Sequence, residues 1–204
     1  EDLATNFVAA NEELLGACAQ RPGFVPCPIV IPNAAGDVPP EDEQVAALLA
    51  CGAGAACIRP KRDHWILADW VAGPLLEALQ GRRVPVFCRP EQIALEEVAE
   101  LAGRYPDLPI IVAEAGYRSQ RVLLRLLATF GRVHVCLGGA YSVHRGVEQL
   151  VGRVGAERVL FGTGYPDSEP TAAVTQLMYA DISDAQRSSI GAGNMERLME
   201  EIAR

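Results

Sequence analysis

Several common chemistries find no footing in this sequence. No GxGxxG follows a first apolar run, so a dinucleotide-binding turn has no support. The six cysteines, Cys18, Cys27, Cys51, Cys57, Cys88 and Cys136, form no CxxC pair, and no second pair stands at zinc-finger spacing. They sit mostly inside apolar runs, which predicts reduced, buried thiols of a cytoplasmic protein and no disulfide framework. No apolar run approaches the roughly 18 residues of a membrane helix, and no charged-then-apolar leader opens the chain. Acidic residues outnumber basic ones, 26 to 18, for a net charge of −8, but the charges are interspersed. That balance favours solubility and argues against nucleic acid or an anionic membrane as a partner.

What is present is a chain of 204 residues, half of them hydrophobic, long enough to bury one sizeable core as a single domain over 1–204. Its 19 glycines and 14 prolines punctuate many elements without suggesting disorder. Residues 24–31, 55–59, 84–88, 108–113, 133–137 and 159–161 read as strands. Residues 3–20, 41–49, 70–80, 91–104, 119–130, 143–154, 171–178 and 184–203 read as helices. Most of the strands are short continuous apolar runs, the pattern of a parallel sheet with crossover helices. Right-handed crossovers leave an open doubly wound sheet or a barrel. A (β/α) barrel needs eight strands and typically about 250 residues. The chain opens without Met, directly into a helical pattern. The expectation is a TIM-barrel type α/β fold with strands three to eight present and the first two not visible.

Residues 158–167, RVLFGTGYPD, anchor this reading. A buried strand breaks at Gly162 and is closed by Tyr165-Pro166, opening into a loop where α/β proteins place their chemistry. Together with residues 54–60, Val84-Pro85-Val86-Phe87, residues 108–116 and the closing Gly193-Asn194-Met195-Glu196-Arg197-Leu198, this order of segments resembles the amidohydrolase-related family of TIM-barrel, metal-dependent hydrolases and decarboxylases. The helix containing Asn11, before Arg21-Pro22-Gly23-Phe24, is similar to that family's helix into its third strand. The resemblance spans nearly the whole chain.

The resemblance implies a zinc-type metal centre built by a histidine pair on the first strand, a histidine ending the fifth, often one ending the sixth, and an aspartate on the eighth. Here the fifth-strand position falls on Arg89, or on Cys88 with a slip of one; the sixth falls on Glu114 and the eighth on Gly164. Arg cannot be deprotonated in a protein and so cannot ligate, and Gly has no side chain to offer. We therefore expect no metal ligands here, with the family metal absent or weakly bound.

The remaining chemistry points to the strand-end rim. Glu114 and Arg89 form a candidate acid/base or substrate-anchoring pair, the alternative being a plain salt bridge in the vacated site. Arg59 ends the fourth strand and could join them as a fork for a substrate carboxylate. His64 lies in a basic, aromatic loop and is a candidate general acid/base, with a solvated loop histidine as the alternative. Tyr117, Tyr141 and Asp167 are candidate substrate contacts; Asp167 could instead cap the next helix, and Tyr117, Tyr141 or Trp65 could plug the pocket. His134 reads as a core residue and His144 as a surface or capping one. Cys88 could be a nucleophile beside Arg89, the alternative being an inert buried thiol. The resemblance implies a hydrolase or lyase acting on a small, carboxylate-bearing molecule, and the changed ligand positions imply that it works without the usual metal. The competing reading is a catalytically inactive barrel kept as a binding or assembly partner, and a homo-oligomer is compatible with either.

Overall fold

The computed structural model describes residues 6–203. Five parallel strands form one sheet in chain order: β1 (Ala56–Cys57), β2 (Val86–Cys88), β3 (Ile110–Ala113), β4 (Val133–Leu137) and β5 (Val159–Phe161). Between them run α3 (Asp69–Gly81), α4 (Leu95–Arg104), α5 (Gln120–Thr129) and α6 (Gly146–Val154), preceded by α1 (Phe7–Ala19) and α2 (Glu41–Ala50). The strand order never reverses, so the sheet has no doubly wound switch point and follows the barrel arrangement.

Register separates the two faces. Cys57 pairs with Phe87, Phe87 with Ile111 and Ile111 with His134; Ala113 pairs with Cys136 and Cys136 with Leu160. Side chains alternate along a strand, so these residues share the inner face. Val86, Val112, Val135 and Val159 take the outer face, where they pack on Leu75, Leu76 and Leu79 of α3, Leu101 of α4, Leu123 and Leu127 of α5 and Leu150 of α6. Both faces are covered, which is why these strands read as unbroken apolar runs.

The strand expected over 24–31 is reduced to one parallel bridge, Ile29 to Cys57. Cys57 N–H donates to Pro28 O at 2.8 Å and Gly54 N–H to Pro26 O at 3.2 Å, while Val30 N–H donates to Cys57 O at 3.0 Å. Pro26 and Pro28 have no N–H to give back, so the ladder cannot extend. Asn11 of α1 takes over part of the pairing, its side chain donating to Ile29 O and accepting from Ile29 N–H, both at 2.8 Å. Of the helix expected over 3–20, residues 3–5 lie outside the described residues. The helix expected from 91 starts at Leu95, because Gln92 and Ile93 N–H both turn back to Arg89 O and Glu97 accepts from Ala94 N–H at 2.7 Å.

After α7 (Thr171–Met178), the helix expected over 184–203 divides into α8 (Asp184–Ser188), a π turn (Ser189–Gly193) and α9 (Asn194–Glu200). The wide turn delivers Asn194, whose buried side chain donates to Ala156 O and Val159 O, both at 2.8 Å. From there α9 crosses beneath the amino ends of the strands. Leu198 is fully buried against Ile111 and Leu160. Glu201 receives Arg132 at 2.7 Å and Arg197 at 3.0 Å, and Ala203 N–H reaches Arg82 O at 2.9 Å. The barrel interior thus has a helical floor. No helix among the described residues is long and apolar enough to cross a membrane. Of the six thiols, Cys88 and Cys136 are buried; Cys18, Cys27 and Cys57 are half-buried and Cys51 is exposed, short of the burial their apolar neighbours predict.

Candidate active site

At the carboxyl ends of the strands a cavity of about 430 Å³ opens. Arg59, Arg89, Glu114 and Asp167 lie in its polar lining together with Arg62 and Gln92, and Ile29, Phe87 and Ala113 contribute apolar wall. Four of the seven residues singled out from sequence therefore meet in one place.

Glu114 is the most unusual of them. Its φ of 57° puts a non-glycine residue in the left-handed region at the end of β3. That turn aims the carboxylate across two glycines: a Cβ at Gly164 would lie 2.7 Å from its Oε1, and one at Gly138 would collide with it outright. Gly164 stands where the family resemblance places the eighth-strand aspartate. The carboxylate of Glu114, arriving from the sixth-strand position, fills that space. Burial pushes its pKa above the ordinary carboxyl value; the Arg89 guanidinium opposes this, while Glu91 and Asp167 add to it.

The two arginines are already engaged. The expected Arg89–Glu114 ion pair is not formed: Arg89 Nη1 donates to Asp167 Oδ2 at 3.1 Å, with side chains 48 % and 69 % exposed. The left-handed turn sends Glu114 into the glycine cleft, leaving Asp167 to meet the guanidinium. Asp167 consequently does not cap the next helix; Thr171 N–H goes to Glu169 Oε2 at 3.0 Å. Arg59 is not an open fork either. Its Nε and Nη2 both donate to Asp63, at 3.1 and 2.8 Å, in a mostly buried pair. The loop after β1 is tied to the loop after β2 by Arg62 N–H donating to Gln92 Oε1 at 3.0 Å.

His64, Tyr117 and Tyr141 do not reach the cavity lining. His64 is exposed at the tip of a tight loop closed by Asp63 N–H to Arg59 O and Trp65 N–H to Pro60 O, both 2.9 Å. Tyr117 is half-exposed, and its hydroxyl accepts from Arg118 Nε at 3.1 Å. Tyr141 is 1 % exposed and packs beneath Gly146, where a Cβ would lie 2.9 Å from its ring. Trp65 packs against the core. None of the three aromatics plugs the pocket.

Sequence reasoning passed over Cys27, Cys57, Cys136, Phe87 and Gln92, which also line the cavity. A period-two count back from the rim arginines reaches two of them, Cys57 from Arg59 and Phe87 from Arg89, on the face that points inward.

Among the described residues the donor set does not fit the family's metal. Arg89 and Gly164, which the resemblance sets at two of its ligand positions, carry groups that cannot coordinate. Among the described residues no three His, Cys, Asp or Glu side chains come together to hold a metal ion.

The parallel barrel wall, with charges converging at its strand ends, is that of a TIM-barrel fold. The sequence profile of one such family, described as amidohydrolase, matches residues 2–199, and the chain belongs to that family. No curated protein sequence matches it. A TIM-barrel protein from Bordetella bronchiseptica superimposes with a TM-score of 0.77 at 17% identity, over 95% of this chain and 73% of that one. 2,6-Dihydroxybenzoate decarboxylase from Rhizobium gives 0.73 at 19% identity, over 95% and 76%. 5-Carboxyvanillate decarboxylase from Novosphingobium aromaticivorans, complexed with manganese and 4-hydroxy-3-methoxy-5-nitrobenzoic acid, gives 0.76 at 17% identity, over 97% and 70%. At these identities the likeness establishes the fold.

Proposed function

We propose that this chain is a hydrolase or lyase for a small carboxylated substrate, with Glu114 as proton donor and acceptor and Arg89 as anion anchor, working without the family's metal. The observation that carries this reading is Glu114 itself. A carboxylate turned into a glycine-lined cleft, with its pKa raised by burial, has the attributes of a tuned acid/base group.

The substrate's carboxylate displaces Asp167 from Arg89. That exposed pair contributes about 0–1 kcal/mol, so exchanging it costs little, and a guanidinium holds a carboxylate through charge-assisted hydrogen bonds. Phe87 and Ile29 supply apolar wall for the body of the substrate. In a lyase reaction the carbon that keeps the bonding pair takes its proton from Glu114; in hydrolysis the ionised carboxylate takes the proton of the attacking water. Carboxylated aromatics, the compounds named for the two decarboxylases similar in fold, are the first substrates to screen.

The open cavity favours this reading over an inactive scaffold, which a pocket filled by Tyr117, Tyr141 or Trp65 would have supported. The test is a panel of aromatic acids assayed for CO2 release, beside esters, lactones and amides assayed for hydrolysis. Protein exchanged into metal-free buffer should keep its activity with well below one metal per chain by elemental analysis. A transition metal at one per chain whose removal stops turnover would overturn the metal-free part.

A further inference from the structure

The chain leaves β2 in a tight turn whose two ends both line the cavity. Pro90 takes the second position of Arg89-Pro90-Glu91-Gln92, where its fixed φ suits a turn. Gln92 N–H donates to Arg89 O at 2.9 Å and Ile93 N–H to the same oxygen at 3.0 Å. Ile93 is fully buried and pins the turn to the core. The first and last Cα atoms of such a turn lie within about 7 Å of each other. Arg89 and Gln92 therefore stand side by side on the cavity wall.

Gln92 is oriented from its other side. Arg62 N–H donates to its Oε1 at 3.0 Å. A backbone N–H can only donate, so it settles which end of the amide is oxygen and turns the Nε2 donors the opposite way. Those donors meet no hydrogen-bond acceptor among the described residues. The side chain is half-buried in the lining, where a ligand can meet it. The polar groups around it are charged: Arg59 is held by Asp63 and Arg89 by Asp167, while Glu114 lies in its glycine cleft. Gln92 adds a neutral pair of donors that the acid/base chemistry does not use.

We propose that Gln92 is a specificity residue: its amide selects acids that carry a neutral hydrogen-bond acceptor, such as a ketone, nitro or ether oxygen, besides the carboxylate held by Arg89. The inference rests on the proposed Arg89 anchor and adds a second point of contact to it. Two contacts from one rigid turn hold the acid against rotation over the apolar wall of Ile29 and Phe87, where one contact would not. An acid with an alkyl group in that place leaves the Nε2 donors stripped of water and unpaired, and that cost selects against it.

The test reads binding, not turnover. Isothermal titration calorimetry compares 3- and 4-acetylbenzoate with 3- and 4-isopropylbenzoate, which put a methyl where the ketone oxygen stands. The native chain should bind the acetyl acid of at least one pair about fivefold more tightly, the scale of one neutral hydrogen bond. Gln92→Glu keeps an oxygen for Arg62 N–H but replaces the Nε2 donors with a second acceptor. It should reverse the preference within that pair, whatever its added charge does to both acids. In native protein labelled with nitrogen-15 glutamine, the Gln92 side-chain amide protons, assigned by their loss in Gln92→Glu, should move downfield with the acetyl acid and stay in place with the isopropyl one. Equal affinities within both pairs, or a preference that survives Gln92→Glu, would overturn the proposal. If Arg89→Gln weakens both acids while Gln92→Glu leaves their ratio unchanged, the anchor stands and this inference falls. If no acid binds the native chain, both fall.

Discussion

The two ends of this barrel wall are built on opposite terms. At the floor, polar groups are mostly used up: Asn194 saturates two carbonyls, Glu201 gathers Arg132 and Arg197, and Leu198 fills the centre. At the rim, Glu114 sits in a strained backbone conformation, Arg89 holds an exposed partner, and glycines stand where a side chain would run into the Glu114 carboxylate. The floor holds the strands in register so that the rim can keep groups in costly states. This is the division expected of a barrel, with stability below and chemistry above.

Glu114→Gln is the substitution that divides the ends most sharply. Turnover should fall by about 10²–10⁴-fold, the contribution of a positioned acid/base group, while thermal melting stays near that of the native chain. Undiminished activity would remove Glu114 from the mechanism. Leu198→Ala should show the inverse pattern, losing about 2–5 kcal/mol in denaturant unfolding through the cavity left in the floor. A loss well under 1 kcal/mol would mean that α9 is not the plug described.

His134 is a weak point of the floor. Both its ring nitrogens are buried without hydrogen-bond partners. Burial, then Arg158, Arg132 and Arg197, push its pKa from 6.5 down to about 3, with Glu201 opposing. Between those values the unfolded chain holds a proton on this imidazole that the folded chain does not. Stability from this residue is therefore complete above pH 6.5 and lost as pH falls toward 3. His134→Leu should flatten the acid limb of a stability–pH curve, and an unchanged limb would assign it to carboxylates instead. The smallest effect belongs to Asp167→Ala: melting should shift by less than about 1 kcal/mol, as for any exposed pair, while carboxylate ligands bind Arg89 more tightly. Weaker ligand binding would make Asp167 a substrate contact.

The same contrast explains what the sequence made legible. Continuous apolar runs located β4 and β5 to the residue and β1, β2 and β3 to within two residues at either end, because burial on both faces leaves that pattern. The segment over 24–31 looked equally strand-like, yet alternating prolines removed the donors a ladder needs. At the rim, Arg59, Arg89, Glu114 and Asp167 were placed together because each follows a strand directly or closes its loop. Their pairing was not legible. It depends on a left-handed turn at Glu114 and on Asp63 reaching back to Arg59, neither of which leaves a periodic trace. His64 looked reactive by composition alone, and a four-residue turn carries it into solvent.

The most direct measurement is a carbon-13 NMR titration of the Glu114 side-chain carboxyl in uniformly glutamate-labelled protein, assigned by its loss in Glu114→Gln. The account predicts a midpoint above the ordinary 4.5, moving higher still in Arg89→Gln, since the guanidinium is the group that holds it down. A midpoint at or below 4.5, or one indifferent to Arg89, would contradict a desolvated acid/base carboxyl poised against that arginine.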